Sequence, residues 1–344
     1  NVSVFSDYGL VSWWRMDDLN SSGGVVDYMG RNNGTVVADA VQVDGGYFGK
    51  GFSFDGDSIS LGTDDSLNIT ETIAISAWFK ISDLSVNRLI YGAGIHVANK
   101  KGISLYRASA NNALYFRIGN GTTNGGFYSD SAYPVDTWTH VVAYWNGTTG
   151  KMAVNGVIQS GSFDLTGPVV YASANRHIGS DSGSANKFNG TIDDVMVFNR
   201  SLSADEIQAM YANASTKYLN ASVSMAEGTR DLTVYSQDVG GNVVSEVRYN
   251  VSVDTSSPSV SVVSPLNTTY NSSSVLVNVS SSESGSGMIV GNLDSSLVSW
   301  WRMDDLNSSG DVVDYMGLNN GTVVNAVQTD AGKFGKGFSF DGDG

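Results

Sequence analysis

The stretch "THVVAYWNGTTGKMAVNGVIQSG", residues Thr139–Gly161, decides the fold class. It reads as a three-stranded meander whose turns fall at Asn146–Gly147 and Asn155–Gly156, because Asn-Gly accepts the positive φ that a tight hairpin demands. Outward from it, "AISAWFKIS" (Ala74–Ser82) puts Ile75, Ala77, Phe79 and Ile81 on one face, with polar residues and Trp78 on the other. That period of two is a strand. From Leu10 to about Tyr211 the chain continues as strand after strand, broken by turn signals. One short helix is predicted near 203–212, where "SADEIQAM" begins with Ser203 as N-cap and carries Glu206 three residues on, a capping box.

Composition supports an all-β chain. Of 344 residues 41% are hydrophobic and 10% aromatic, which excludes a disordered polymer. Gly (40) and Ser (49) are abundant while Pro is scarce (4), as in turn-rich β structure. No apolar run is long enough to cross a bilayer, and no signal peptide is visible. The start at Asn1 reads as a mature or internal piece of something longer. A net charge of −15, from 29 Asp and only 5 Glu, argues against nucleic acid as a partner. Asp without Glu suits turns and oxygen sites for hard cations, although a solvated acidic surface accounts for most of it.

Zero cysteines removes disulfides, thiolate metal sites and cysteine nucleophiles together. The compartment is read from asparagines instead. Sixteen stand in Asn-x-Ser/Thr sequons: Asn1, Asn20, Asn33, Asn68, Asn120, Asn146, Asn189, Asn199, Asn213, Asn220, Asn250, Asn267, Asn271, Asn278, Asn307 and Asn320. Chance supplies about six in such a composition. The excess points to an exported, glycosylated surface protein, and a cysteine-free chain of this kind resembles archaeal surface proteins more than animal ones.

The chain also repeats itself. "LVSWWRMDDLNSSG" stands at Leu10–Gly23 and at Leu297–Gly310, and "VVDYMGRNNGTVV" (Val25–Val37) returns as "VVDYMGLNNGTVV" (Val312–Val324). "FGKGFSFDGD" occupies Phe48–Asp57 and Phe334–Asp343, one deletion near Asp39 separating the registers. Near-identity over that length means tandem duplication.

These motifs, followed by "AISAWFKI", "WTHVVAYWNGTTGKMAVNG" and "FNGTIDDVMVFNRSLSADEI", occur in the order seen in LamG-like (concanavalin A-like, laminin G type 3) domains. The resemblance covers nearly all of 10–213 and implies an antiparallel jelly-roll β-sandwich of two large sheets. It also implies a structural Ca²⁺ between the N-terminal segment and the final strand. The matching positions are Asp17, Asp18, Asp27, Asn33 in the "NNG" turn, and Asp193 in "TIDD"; exposed turn or cap residues are the competing reading of the acids.

Residues 214–254, with "EGTRDLTVYSQDVGGNVVSEVRYNVSVD", resemble the closing half of prokaryotic Ig-like modules, and 255–296 the opening half. The halves are in inverted order. An LamG-like domain inserted into an Ig-like one explains this, with 1–9 as the end of an opening half and 297–344 the start of a second, truncated LamG-like repeat. A single compact Ig-like linker is the alternative.

Jelly rolls of this type include glucanases, whose retaining members use two carboxylates closely spaced on one strand. Glu71, Glu206, Glu227, Glu246 and Glu283 show no such spacing. His96, His140 and His177 are isolated, and no nucleophile elbow is present. For carbohydrate, Trp13, Trp14, Tyr106, Tyr115, Tyr128 and Trp145 could stack on sugars, but aromatics at period two in a sandwich are usually core. The loop "NGTTNGGFYSDSAY" makes Phe127, Tyr128 and Tyr133 the candidates. The leading expectation is a non-catalytic structural or adhesive repeat of a large extracellular surface glycoprotein or filament, with neighbouring copies as partners. The alternative is a calcium-supported lectin-like module binding surface glycans; a glycoside hydrolase stands third.

Overall fold

A computed structural model describes residues 2–83, 85–96, 98, 100–173, 175–180, 186–211, 219, 222, 224–282 and 297–342. The chain divides into two compact units, Asn1–Val253 and Asp254–Gly344. In the first, the principal strands are β1 (Val2–Ser6), β2 (Leu10–Leu19), β3 (Gly51–Asp55), β4 (Ile73–Ile81), β5 (Arg88–His96), β6 (Lys101–Arg107), β7 (Ala113–Asn120), β8 (Asn124–Ala132), β9 (Thr139–Trp145), β10 (Thr149–Val154), β11 (Asn189–Phe198), β12 (Gly228–Asp238) and β13 (Val243–Val253). One α-helix among the described residues, α1 (Ala204–Met210), follows β11.

Two antiparallel sheets make the jelly-roll sandwich. One runs β8-β7-β6-β5 and continues through the short strands Arg176–Ile178, Ser58–Ser60 and Thr35–Val37. The other runs from Val157–Ile158 through β10-β9-β4-β11-β2 to Val25–Asp27, with β3 also paired to β11. The predicted meander is there: Trp145 faces Gly150, Val154 faces Val157, and Asn155 and Gly156 turn the chain at φ 49 and 77°. At the other turn the Asn146 carboxamide oxygen accepts the Thr148 and Thr149 amides at 3.1 and 2.8 Å.

Between the sheets lies one large core. Ile75, Ala77, Phe79 and Ile81 of β4 enter it together, beside Leu114, Phe116 and Ile118 of β7. Each buried Ile, Leu or Phe among them contributes about 1.5–3 kcal/mol by leaving water. The other face of β4 is also dry. Ala74 packs with Ile207 and Met210 of α1, and Trp78 stacks on Tyr47 at 3.3 Å and lies parallel to Tyr211. Helix α1 starts where the capping box placed it. The Ser203 hydroxyl accepts the Glu206 amide at 3.3 Å, the Glu206 carboxylate accepts the Ser203 amide at 2.9 Å, and Arg200 adds an ion pair to Glu206 at 2.6 Å.

A third, three-stranded sheet has the order β1-β12-β13. Its first strand precedes the jelly roll and its other two follow it, with Val2 opposite Asp238 and Ser6 opposite Val234. Phe5 and Tyr235 from its inner face pack on Trp13, with ring centroids 4.8 and 5.7 Å away. So 214–254, read above as half of a module, contributes β12 and β13 to the first unit. In the second unit, β14 (Ser259–Ser264) and β15 (Asn278–Ser282) form an antiparallel hairpin. After it, Trp301–Leu306 pairs with Val312–Asp314 and Val327–Thr329 with Gly337–Ser339. Neither 214–254 nor 255–296 closes a sandwich of its own among the described residues.

Candidate functional site

Strands β6, β7 and β8 each send alternate residues to the core, and the other parity faces outward. Ile103 and Leu105 of β6, Leu114, Phe116 and Ile118 of β7, and Phe127 of β8 point in. Strand register then aligns the remainder in rows: Tyr106 stands opposite Tyr115, and Tyr115 opposite Tyr128. Their ring centroids are 5.2 and 4.5 Å apart, a row of three tyrosines across three strands. Tyr128, at the end of the row, is 47% exposed.

The next row holds Ser104, Arg117 and Gly126. Arg117 is only 5% exposed, its Nη1 donates to the Lys101 carbonyl at 3.2 Å, and its Nη2 has no partner among the described residues. Gly126 is required by close approach: a Cβ there would stand 2.5 Å from the Tyr115 hydroxyl oxygen. Beside these rows is an open groove of about 370 Å³, to which Asn87, Asn124 and Asn186 add amide side chains. Burial, then the neighbouring Tyr128 and Tyr115 phenols, push the Tyr106 hydroxyl up to about 12, so it stays a neutral donor. Burial also pulls Arg117 below its ordinary value. The arrangement offers flat aromatic faces, neutral hydroxyls and amides, and one cation with a spare N–H, which is chemistry for holding a polyhydroxylated ligand.

Of the three aromatics predicted for sugar, only Tyr128 belongs to this face. Phe127 is a correction: it is 9% exposed, turned into the core against Phe163, because neighbours along a strand point to opposite faces. Tyr133 packs half-buried on the core, its carbonyl taken by Arg107 Nη2. Tyr106 and Tyr115, for which period two favours the core, stand on the outer face instead, and Arg117 joins them there. The signal was present in "ISLY" and "LYFRI", where one parity holds Ile103, Leu105, Leu114, Phe116 and Ile118 and the other holds Ser104, Tyr106, Tyr115 and Arg117. Trp13, Trp14 and Trp145 are fully buried.

The five residues proposed for calcium are not brought into one cluster, and they do not fit one as a set. Asp27 is buried at the strand-to-turn junction with its carboxylate filled by amides: those of Trp13, Met29, Arg31 and Asn32 at 2.8, 3.0, 3.2 and 2.9 Å. Asn33 accepts the Asp27 amide at 2.9 Å. Asp17 accepts the Lys50 amide at 2.8 Å and Arg15 at 3.0 Å, while Asp18 lies at the surface on Arg15. Of the five, Asp193 alone has a buried carboxylate oxygen, Oδ1, without a partner among the described residues; its Oδ2 accepts the Phe48 amide at 2.9 Å. Asp193 and Asp194 share a bulge in β11, and the Trp13 indole donates to Asp194 at 2.6 Å. Burial, then the Asp194 charge, push Asp193 well above the usual carboxylate range; burial likewise brings Asp194 to about 7. Among the described residues no three His, Cys, Asp or Glu converge as a metal-binding group.

Most of the described sequon asparagines fall on turns and strand ends, with Asn250 inside β13. Asn33, Asn68, Asn146, Asn199, Asn250, Asn267, Asn271 and Asn278 are exposed, Asn20, Asn120 and Asn189 are half-buried, and Asn213 and Asn220 lie outside the described residues. At Asn120 and Asn189 the nitrogen that would carry a sugar already donates, to the Thr166 carbonyl at 3.0 Å and to Asp55 at 2.6 Å. His140 is a packed histidine: it sits at 2.8 Å from the Ser76 hydroxyl, stacks on Trp78, and burial holds it down at about 3. Among the described residues no helix is long and apolar enough to cross a membrane.

Residues 53–208 match the family model described as the concanavalin A-like lectin/glucanases superfamily. No curated protein matches the sequence. Among solved structures the chain is similar to domain 4 of AbnA, an extracellular arabinanase from Geobacillus stearothermophilus solved with arabinotriose. Identity is 18%, coverage 59% of this chain and 98% of that one, and the TM-score 0.49. It is also similar to a mutant Trypanosoma rangeli sialidase displaying trans-sialidase activity (18% identity, 59% and 32% covered, TM-score 0.45). A third likeness is the binding domain of botulinum neurotoxin serotype G (13% identity, 59% and 50% covered, TM-score 0.45). The chain therefore spans about a third of the sialidase and half of the neurotoxin domain.

Proposed function

We propose that the jelly roll of 10–213 is a carbohydrate-binding module, and that its binding face is the Tyr106–Tyr115–Tyr128 row with Arg117. The carrying observation is that strand register puts three tyrosines side by side next to a buried guanidinium with an open N–H. Such a surface suits the apolar face of a sugar ring, with the hydroxyls taken by Arg117, Ser104 and the amides. Glycoside hydrolysis needs two carboxylates, and among the described residues the groove is lined by neither Asp nor Glu, which supports a reading of binding without turnover.

The test is titration with a panel of oligosaccharides. One of them should bind saturably, and Tyr115→Ala should weaken it at least tenfold, worth about 1.4 kcal/mol, with the fold unchanged by circular dichroism. Gly126→Ala should weaken it too, by tilting Tyr115. Binding that survives both changes would overturn the proposal.

A second reading has its own support. The repeat of 10–57 at 297–343 favours a tandem array in which such modules recur along an extracellular, glycosylated chain. On that reading the modules act as an adhesive stalk, and β1 and β12 are parts of a spacer sheet interrupted by the jelly roll. The mass of the native protein after glycan removal tests it: several times 36.4 kDa supports the array, and 36.4 kDa sinks it.

A further inference from the structure

Strand register gathers three sequons at one end of the jelly roll, which their sequence positions do not reveal. Strands β9 and β11 flank β4 and run against it, with Trp145 opposite Ile73 and Phe198 opposite Ala74. Both neighbours therefore finish where β4 begins, and each runs directly into a sequon: Asn146-Gly147-Thr148 and Asn199-Arg200-Ser201. The third, Asn68-Ile69-Thr70, lies in the segment leading into β4. Contacts tie the three segments together. The Thr72 hydroxyl donates to the Asn199 carbonyl at 2.8 Å, and a Cβ at Gly147 would stand 3.3 Å from the Glu71 carbonyl oxygen. Asn68 and Asn199 line one open groove of about 300 Å³ with Glu71 and Thr72.

A glycan is carried on the carboxamide nitrogen, so the partners of that atom sort the sequons. At this end all three asparagines are exposed, and the fold holds oxygens instead. Asn146 Oδ1 accepts the hydroxyl of its own sequon threonine, Thr148, at 3.0 Å, and Asn68 Oδ1 accepts Arg176 Nη2 at 3.2 Å. Among the described residues none of the three nitrogens donates a hydrogen bond. Asn120 and Asn189 are the contrast: both are half-buried, with the nitrogen turned to the Thr166 carbonyl and to Asp55. Asn189 opens β11 and Asn199 follows its last residue, so one strand has a closed sequon at one end and an open one at the other.

We propose that this end of the jelly roll is a glycosylated pole, with N-linked oligosaccharide on Asn68, Asn146 and Asn199 and none on Asn120 or Asn189. The co-reactant is a polyprenyl-phosphate-linked oligosaccharide, joined by an oligosaccharyltransferase of the producing cell. The bond from nitrogen to the anomeric carbon forms as the bond from that carbon to the phosphate oxygen breaks. The nitrogen gives up one proton, and the lipid phosphate leaves with the electron pair. A sugar on Asn120 or Asn189 would have to seat against a half-buried turn, whether transfer precedes or follows folding. The tyrosine groove stays clear of attached glycan. Its asparagines, Asn87, Asn124 and Asn186, are followed by Arg-Leu, Gly-Gly and Lys-Phe, and none of them is a sequon. The proposal rests on the reading of an extracellular, glycosylated chain.

The full chain, secreted from an N-glycosylating host, tests it. Glycan release by a peptide N-glycosidase in heavy-oxygen water turns each occupied asparagine into a labelled aspartate, read site by site by peptide mass spectrometry. Label is expected at Asn68, Asn146 and Asn199 and absent from Asn120 and Asn189. Asn68→Gln, Asn146→Gln and Asn199→Gln should each remove one glycan from the intact mass, whereas Asn120→Gln and Asn189→Gln should remove none. Label at Asn120 or Asn189, or an unlabelled pole in a chain labelled at other sequons, would overturn the proposal. A chain without label at any sequon would overturn the glycosylated reading along with it, so the two failures are told apart.

Discussion

Trp14 and Trp301 are the same residue in two copies of one sequence, and their surroundings are alike at short range. Each indole donates to a turn carbonyl at 2.6 Å, to Asn32 in the first copy and to Asn319 in the second. Asp27 and Asp314 each accept the preceding tryptophan's amide at 2.8 Å, and Met16 and Met303 hold positive φ of 65 and 69°. Beyond that range they part. Trp14 is 0% exposed and Trp301 42%; Phe54 is 2% exposed and Phe340 77%. In the first copy β2 lies against β11, with Val195 opposite Trp14, and the core fills behind it. The turns need only their own residues, whereas burial needs strands from far along the chain.

The largest expected effect is at the tryptophans. Trp14→Ala should cost about 3–5 kcal/mol in denaturant unfolding of the first unit, whereas Trp301→Ala should cost under about 1 kcal/mol. Equal costs would mean that the second copy is buried in solution, and the comparison would break. Next come the turn carboxylates. Asp27→Ala strips an acceptor from four amides and should cost about 3 kcal/mol globally. Asp314→Ala should leave global unfolding unchanged and show only as faster hydrogen exchange at Trp300, Met316, Leu318 and Asn319, whose amides it accepts.

The smallest effect sharpens the comparison through pH. Asp193 and Asp194 bind protons more tightly folded than unfolded, so their contribution to stability is full below the unfolded carboxylate range. It is lost as pH rises through the raised carboxyl values, about 7 for Asp194 and well above the usual carboxylate range for Asp193. Asp193→Asn should therefore stabilise the first unit at pH 8 by roughly 1–2 kcal/mol, or ~2–8 °C, and much less at pH 4. The measurement is paired melts in EDTA and in calcium. If the asparagine variant melts lower than wild type only in calcium, a cation is bound at Asp193 and the reading of that carboxylate as unpartnered is wrong.

Much of the fold was legible. The meander, the β4 strand and the Ser203–Glu206 box are local patterns, and period and capping chemistry act over a few residues. The binding face was legible only in half. Alternation along "ALYFRIGN" separates Tyr115 and Arg117 from Leu114, Phe116 and Ile118, but nothing in one strand says which parity meets the second sheet. Phe127 and Tyr128 were assigned to one surface for that reason, and the pleat sends them to opposite ones. The calcium set was legible by residue type alone. Asp27 has the residue type for a ligand, but its oxygens are consumed by amides that a sequence pattern does not place.

By itself, then, the sequence determined that this chain is antiparallel β, that it repeats, and where the turns of its meander and the capped helix α1 begin. Those properties come from interactions between residues a few positions apart. The tertiary structure decided that Tyr106, Tyr115 and Tyr128 stand in one row, that β1 pairs with β12 across the whole jelly roll, and that Trp14 is buried while Trp301 is not. Each of these depends on strand register and on surfaces meeting from distant parts of the chain, and burial is a property of the pair of surfaces, not of either one.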